Sequence, residues 1–131
     1  MSGHSAGKDW LASPDQRIHH LAFPGPPDHP DPEDPVALLD QSLAQLAERG
    51  IRGEHIAGVF LETLQGWGAL AYPTAYLQRL REWADRHQVL LVFDEIQTGF
   101  GRTGRWFGHQ HYNVRADLLC VGKGLSSSLP L

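Results

Sequence analysis

Residues 89–104 read VLLVFDEIQTGFGRTG, an apolar run that ends abruptly on two acids and then breaks into glycines. Val89, Leu90, Leu91, Val92 and Phe93 are too few for a core helix and rich in strand formers, so they predict a strand buried on both faces. Two further runs have the same form: 56–61 in IAGVFLETLQG, ending at Glu62, and 118–121 in LLCVGKG, followed by Lys123. Each delivers a charged residue at or just past a strand's carboxyl end, where an open α/β sheet gathers its chemistry.

Helical patterns fall between these runs. In VALLDQSLAQLAERG, Leu38, Leu39, Leu43 and Leu46 follow helical spacing, with Asp34 as the expected cap, Pro35 at the first position and Gly50 past the end. A second helix starts near Pro73 and buries Tyr76, Leu77, Leu80, Trp83 and Ala84. WFGHQHY reads as a short helix, and QGWG as a glycine-containing turn. Alternating strands and helices predict an α/β fold: a partial, mostly parallel sheet with flanking helices and right-handed crossovers. Residues 1–34, with FPGPPDHPDPEDP, read as an extended Pro/Gly-rich connector; residues 35–131 form the folded part.

Composition narrows the function. A net charge of -4 gives no reason to expect nucleic acid or an anionic membrane surface. There is no basic-then-apolar start and no apolar stretch near ~20 residues, so no membrane partner is expected and the cytoplasm is the expected compartment. The single cysteine, Cys120, lies inside an apolar run and reads as a small buried hydrophobe. None of the eight histidines has metal-site spacing, so no metal is expected.

Asp94 closes a five-residue apolar strand, so its carboxylate needs a cationic or hydrogen-bonding partner. Lys123 comes one crossover later, and neighbouring strands can bring both to one crevice. A lysine there can act as a nucleophilic amine toward a carbonyl. A Schiff-base lysine with an aspartate at a pyridinium nitrogen is the pairing that pyridoxal phosphate chemistry requires. GKGLSSS also carries a faint likeness to a nucleotide-binding P-loop, but Asp117 stands at the first glycine position and Gly124 follows the lysine.

The stretch from LLVFDEIQTGFGRTG to the end, with VFLETLQGWGAL before it, resembles the class III (omega-type) aminotransferases of fold type I. The set that carries the resemblance is Asp-Glu-Ile-Gln-Thr-Gly, Gly-Arg-Thr-Gly and a strand-borne Gly-Lys, in that order. It implies part of the fold type I large domain, with pyridoxal 5'-phosphate as cofactor. Lys123 is then the catalytic Schiff-base lysine and Asp94 lies against the pyridine nitrogen. Opposite charges ~3 Å apart at an effective dielectric of ~20 attract by about 5 kcal/mol, enough to hold that nitrogen protonated. Ile96 packs on a ring face, Gln97 lies near the phenolic oxygen, and Glu62 faces the substrate.

The implied reaction moves an amino group between a small-molecule amine or amino acid and a 2-oxo acid, with a racemase or epimerase of the same family as the alternative. A homodimer is implied for the full-length family member. Thr63 departs from the proline the family commonly has there. The resemblance also implies that phosphate-anchoring residues precede this segment and that a small C-terminal domain follows. The expectation is therefore an internal fragment, inactive by itself or a non-catalytic remnant. Glu95, Arg102 and Arg105 are expected to serve loop structure or subunit contacts, and Gly99, Gly101 and Gly104 to permit turns.

Overall fold

Asp34 opens the first regular element as expected: its carboxylate accepts the Val36 and Ala37 amides at 2.9 and 3.0 Å. Helix α1 (Pro35–Glu48) follows, in a computed structural model that describes residues 15–25, 34–66, 68–126 and 129. The helix ends where Gly50 turns left-handed (φ +82°), with the amides of Gly50 and Ile51 returning to the carbonyls of Ala47 and Leu46. Most of the expected connector, residues 1–14 and 26–33, lies outside the described residues. The described part, 15–25, carries no regular element and is tied to the body: the Ala22 amide donates to Ser42 Oγ, and Tyr76 Oη to the Ala22 carbonyl.

Strand β1 (Gly58–Glu62) leads into a small antiparallel pair, β2 (Leu64–Gln65) and β3 (Leu70–Ala71). Sequence reading gave this segment only as a turn, because strands of two residues carry no periodicity to detect. Helix α2 (Thr74–His87) then crosses back to β4 (Leu90–Asp94). All five apolar positions expected on α2 are buried. An irregular connection carries the chain to β5 (Leu118–Cys120). The helix expected over WFGHQHY is a 3-10 turn confined to Gly108–Tyr112, with Trp106 exposed outside it.

The main sheet is parallel in the order β1-β4-β5. Leu61, Leu91 and Phe93 pack with Tyr76, Leu77, Leu80, Trp83 and Ala84 of α2 and Leu39 of α1 into one core. Asp117 fastens this layer, accepting the Leu91 amide at 2.8 Å and Arg81 of α2 at 2.5 Å.

The expectation of strands buried on both faces needs correction. Side chains alternate across a strand, and the register puts Phe60, Val92 and Leu118 in one row facing away from α2. Phe60 is 59% exposed, Leu118 52% and Leu90 47%. Val92 in the middle of the row is half-buried, so among the described residues this face of the sheet is open mainly at Phe60, Leu90 and Leu118. Cys120 is likewise only half-buried rather than a core residue, and it is a free thiol. Among the described residues no helix is long and apolar enough to cross a membrane, and no three His, Cys, Asp or Glu side chains cluster as a metal site.

Candidate active site

The parallel register aligns Glu62, Asp94 and Cys120 as neighbours at the carboxyl end of the sheet. Lys123 follows three residues after Cys120. Adjacent strands therefore deliver an aspartate and a lysine to the same edge.

Asp94 is half-buried, and its Oδ1 accepts the Ile96 amide at 3.0 Å. That bond turns the chain sharply out of β4, as aspartate side chains do at turns. Among the described residues its other oxygen accepts no hydrogen bond. Glu62 does similar work at the end of β1, accepting the Gly66 amide at 2.9 Å. Gln97 reaches the same place: a Cβ built on Gly66 would meet its Oε1 at 2.8 Å and Glu62 Oε2 at 3.2 Å.

Lys123 has φ +39°, a left-handed conformation that costs a side-chain-bearing residue about 1–3 kcal/mol. Its glycine neighbours explain how the strain is held. A Cβ on Gly122 would touch Ile96 Cγ2 at 3.4 Å, and one on Gly124 would touch Phe100 Cβ at 3.2 Å. The loop after β4 thus packs closely onto the backbone on either side of the lysine, most tightly at Gly124, where a Cβ would force Phe100 to shift by a few tenths of an ångström. The Lys123 side chain is exposed and opens on a depression of about 470 Å³. Ile96, Gln97, Phe100 and Arg102 line it as well.

Of the residues singled out from the sequence, Lys123, Ile96 and Gln97 share this depression. Asp94 and Glu62 do not line it; they stand at the adjoining strand ends, coupled to it through the Ile96 amide and through Gly66. Phe100 is a wall residue that sequence reading did not single out, and Arg102, expected to serve loop structure or subunit contacts, is another. The only signal for Phe100 was an aromatic between two glycines, Gly99 and Gly101.

The contents fit a small aromatic aldehyde with an anionic arm. Lys123 offers a primary amine with no ion-pair partner among the described residues. Ile96 and Phe100 offer apolar surface, Gln97 an amide and Arg102 an exposed cation. The volume lies within the range of ligand sites for small molecules.

Glu95 is fully buried beside this rim. Burial by itself raises its carboxyl, but hydrogen bonds from Thr98 Oγ1, the amides of His109 and Gly108 and the His109 ring outweigh it, leaving the group below the ordinary carboxylate range. Its expected role in loop structure is what the geometry displays. Thr63, the departure noted above, is also buried, and its hydroxyl lies 2.8 Å from that of Thr98. Tyr112 Oη donates to the Thr63 carbonyl at 2.8 Å.

Comparison with known proteins meets this geometry. The family model described as Aminotransferase class-III matches residues 4–131. An acetylornithine aminotransferase of Synechocystis sp. is 40% identical over 101 residues, covering 76% of this chain and 23% of the relative. An acetylornithine/succinyldiaminopimelate aminotransferase of Photorhabdus laumondii is 42% identical over 86 residues, covering 65% of this chain and 21% of that protein. A solved transaminase structure superimposes with a TM-score of 0.83 at 32% identity, over 98% of this chain and 31% of its own. The chain thus spans about a fifth to a quarter of the length of these curated relatives. On a match running almost its whole length, this chain belongs to the class III aminotransferases, a family of pyridoxal phosphate enzymes of the fold type I architecture.

Proposed function

We propose that this chain supplies the lysine and the ring-facing wall of a pyridoxal-phosphate-dependent aminotransferase site, acting on a small-molecule amino donor and a 2-oxo acid. The observation that carries this reading is the left-handed Lys123, held between glycines beside the strand that delivers Asp94, with its side chain on a depression shared by Ile96 and Gln97.

Pyridoxal phosphate, when bound, supplies an aldehyde for the lysine amine and an electron-withdrawing ring that makes the substrate Cα–H acidic. The chain's residues have separate tasks. Lys123 would hold the cofactor through its amine, and that amine, when free, would take up the proton from the substrate Cα and return it to the substrate–cofactor adduct. Asp94 presents a fixed negative charge for the ring nitrogen, and its rigidity comes from the turn it forms with Ile96. Ile96 gives an apolar face, Gln97 a polar group for the phenolic oxygen, and Glu62 a contact for the donor. The relatives named for acetylornithine and succinyldiaminopimelate favour an N-acylated diamino acid as the donor. The same reading takes the parent enzyme to be a cytoplasmic homodimer with neither nucleic acid nor membrane as partner.

Borohydride reduction in the presence of pyridoxal phosphate, followed by peptide mass spectrometry, tests the assignment. A pyridoxyl group fixed on Lys123 and lost in Lys123→Ala supports it; a native chain that carries no adduct there refutes it.

A further inference from the structure

We propose that Glu95 is a positioning residue for the Lys123 amine, acting through the loop that packs on the lysine's flanking glycines. The proposal rests on the reading of Lys123 given above.

The path is continuous. The Glu95 amide donates to the Cys120 carbonyl at 2.8 Å, so the residue sits where β4 and β5 stop pairing. Its carboxylate then gathers four donors from two parts of the following loop. Oε2 accepts from Thr98 Oγ1 and from the Gly108 amide at 2.9 Å. Oε1 accepts from the His109 amide at 2.8 Å and lies 3.1 Å from His109 Nδ1. Beyond Thr98, the Thr63 hydroxyl ties the cluster to the exit of β1.

From His109 the contacts run to the lysine. The His109 ring stacks between Phe93 and Phe107, with centroids 5.6 and 6.0 Å away. Phe107 meets Phe100 edge-on at 5.6 Å, and Phe100 packs on Gly124. On the other branch, Ile96 follows Glu95 directly and packs on Gly122. Both walls that hold Lys123 therefore connect to one buried carboxylate, Ile96 being held as well by its amide on Asp94. Neutral substitutes cannot replace it: glutamine would turn an amide N–H₂ toward groups that are already donors.

The sequence provides an internal reference, since Lys8 and Lys123 are its only lysines. The chain is incubated with pyridoxal phosphate, reduced with borohydride and digested, and the labelling ratio of Lys123 to Lys8 is read by mass spectrometry. In the native chain Lys123 is labelled in preference to Lys8. Glu95→Gln and Thr98→Val each lower that ratio by about tenfold, as a misplaced reacting group does, while circular dichroism keeps the native helix signal. Ser42→Ala, which removes a buried hydroxyl on α1, leaves the ratio unchanged.

Equal labelling in the native chain overturns the reading of Lys123 and the proposal with it. A native preference that survives in both Glu95→Gln and Thr98→Val overturns the positioning role alone. An equal drop in Ser42→Ala also overturns it, since the loss would then follow general stability. Should Glu95→Gln lose its helix signal, Thr98→Val decides, because it removes one hydroxyl and keeps the side chain's shape.

Discussion

The two faces of the main sheet are built from the same residue types and live in different surroundings. On one face Leu61, Leu91 and Phe93 pack beneath α2 with at most 8% of their surface exposed. On the other, Phe60, Leu90 and Leu118 are each about half in solvent or more. An apolar run therefore states that a strand could be covered on both sides, whereas the packing partner decides which side is. The stability of this chain should accordingly be lodged on one face, and substitutions at paired positions can break or sharpen that contrast.

The largest effect belongs to Phe93→Ala. Phe93 has no exposed surface and stacks on His109 as well as on the α2 core. Truncation leaves a cavity and should cost about 3–5 kcal/mol, read as a lowered urea midpoint with an unchanged slope. A cost under about 1 kcal/mol would mean that α2 does not pack on this face as described.

Next comes Asp117→Asn, which tests the clamp between α2 and the covered face. Burial raises the Asp117 carboxyl, but the Leu91 amide, the Arg81 hydrogen bond and charge, and the Arg115 charge outweigh that, so the folded group lies below its ordinary value. The sign follows. Stability from this group is complete above the unfolded pKa of about 3.9 and is lost as pH falls through the lower folded value. The asparagine variant should be weaker than the native chain by about 1–3 kcal/mol at neutral pH. The gap should narrow as pH falls below the unfolded pKa and close as it passes through the lower folded value, where the native carboxylate is protonated. A gap that stays constant with pH would show that the charge contributes nothing.

The contrast between faces also explains what could be read beforehand. Helix α2 was legible because Tyr76, Leu77, Leu80, Trp83 and Ala84 repeat at a helical period that a single buried stripe enforces. The rim was legible because β1 and β4 each end on a charged residue, which marks where a buried ladder stops. Lys123 and Asp94 came to one edge on strand order alone, β4 beside β5. The open face was not legible, since Phe60 and Leu61 are equally apolar and adjacency in sequence does not say which meets a helix. Nor was the reach of Glu95: two of its four donors are the backbone amides of Gly108 and His109, and an amide leaves no mark in a sequence. Thr63 stood out as a departure, but its purpose became visible only with Thr98 across the loop.

The smallest effect is expected at Phe60, and it is the sharpest check on the comparison. Phe60 is next to Leu61 on the same strand, and it pairs in register with Val92, one residue from the buried Phe93. Phe60 lies on the edge strand, paired on one side, and Phe93 on the central strand, paired on both, so the two differ in strand neighbours as well as in the layer above. Phe60→Ala removes as much side chain as Phe93→Ala, yet most of that surface is already in water. Its stability should change by no more than about 0.5 kcal/mol, measured in the same urea experiment. Equal losses at both positions would show that apolar size alone sets the stability of this sheet. A loss at Phe93 alone ties it to the covered face of the central strand.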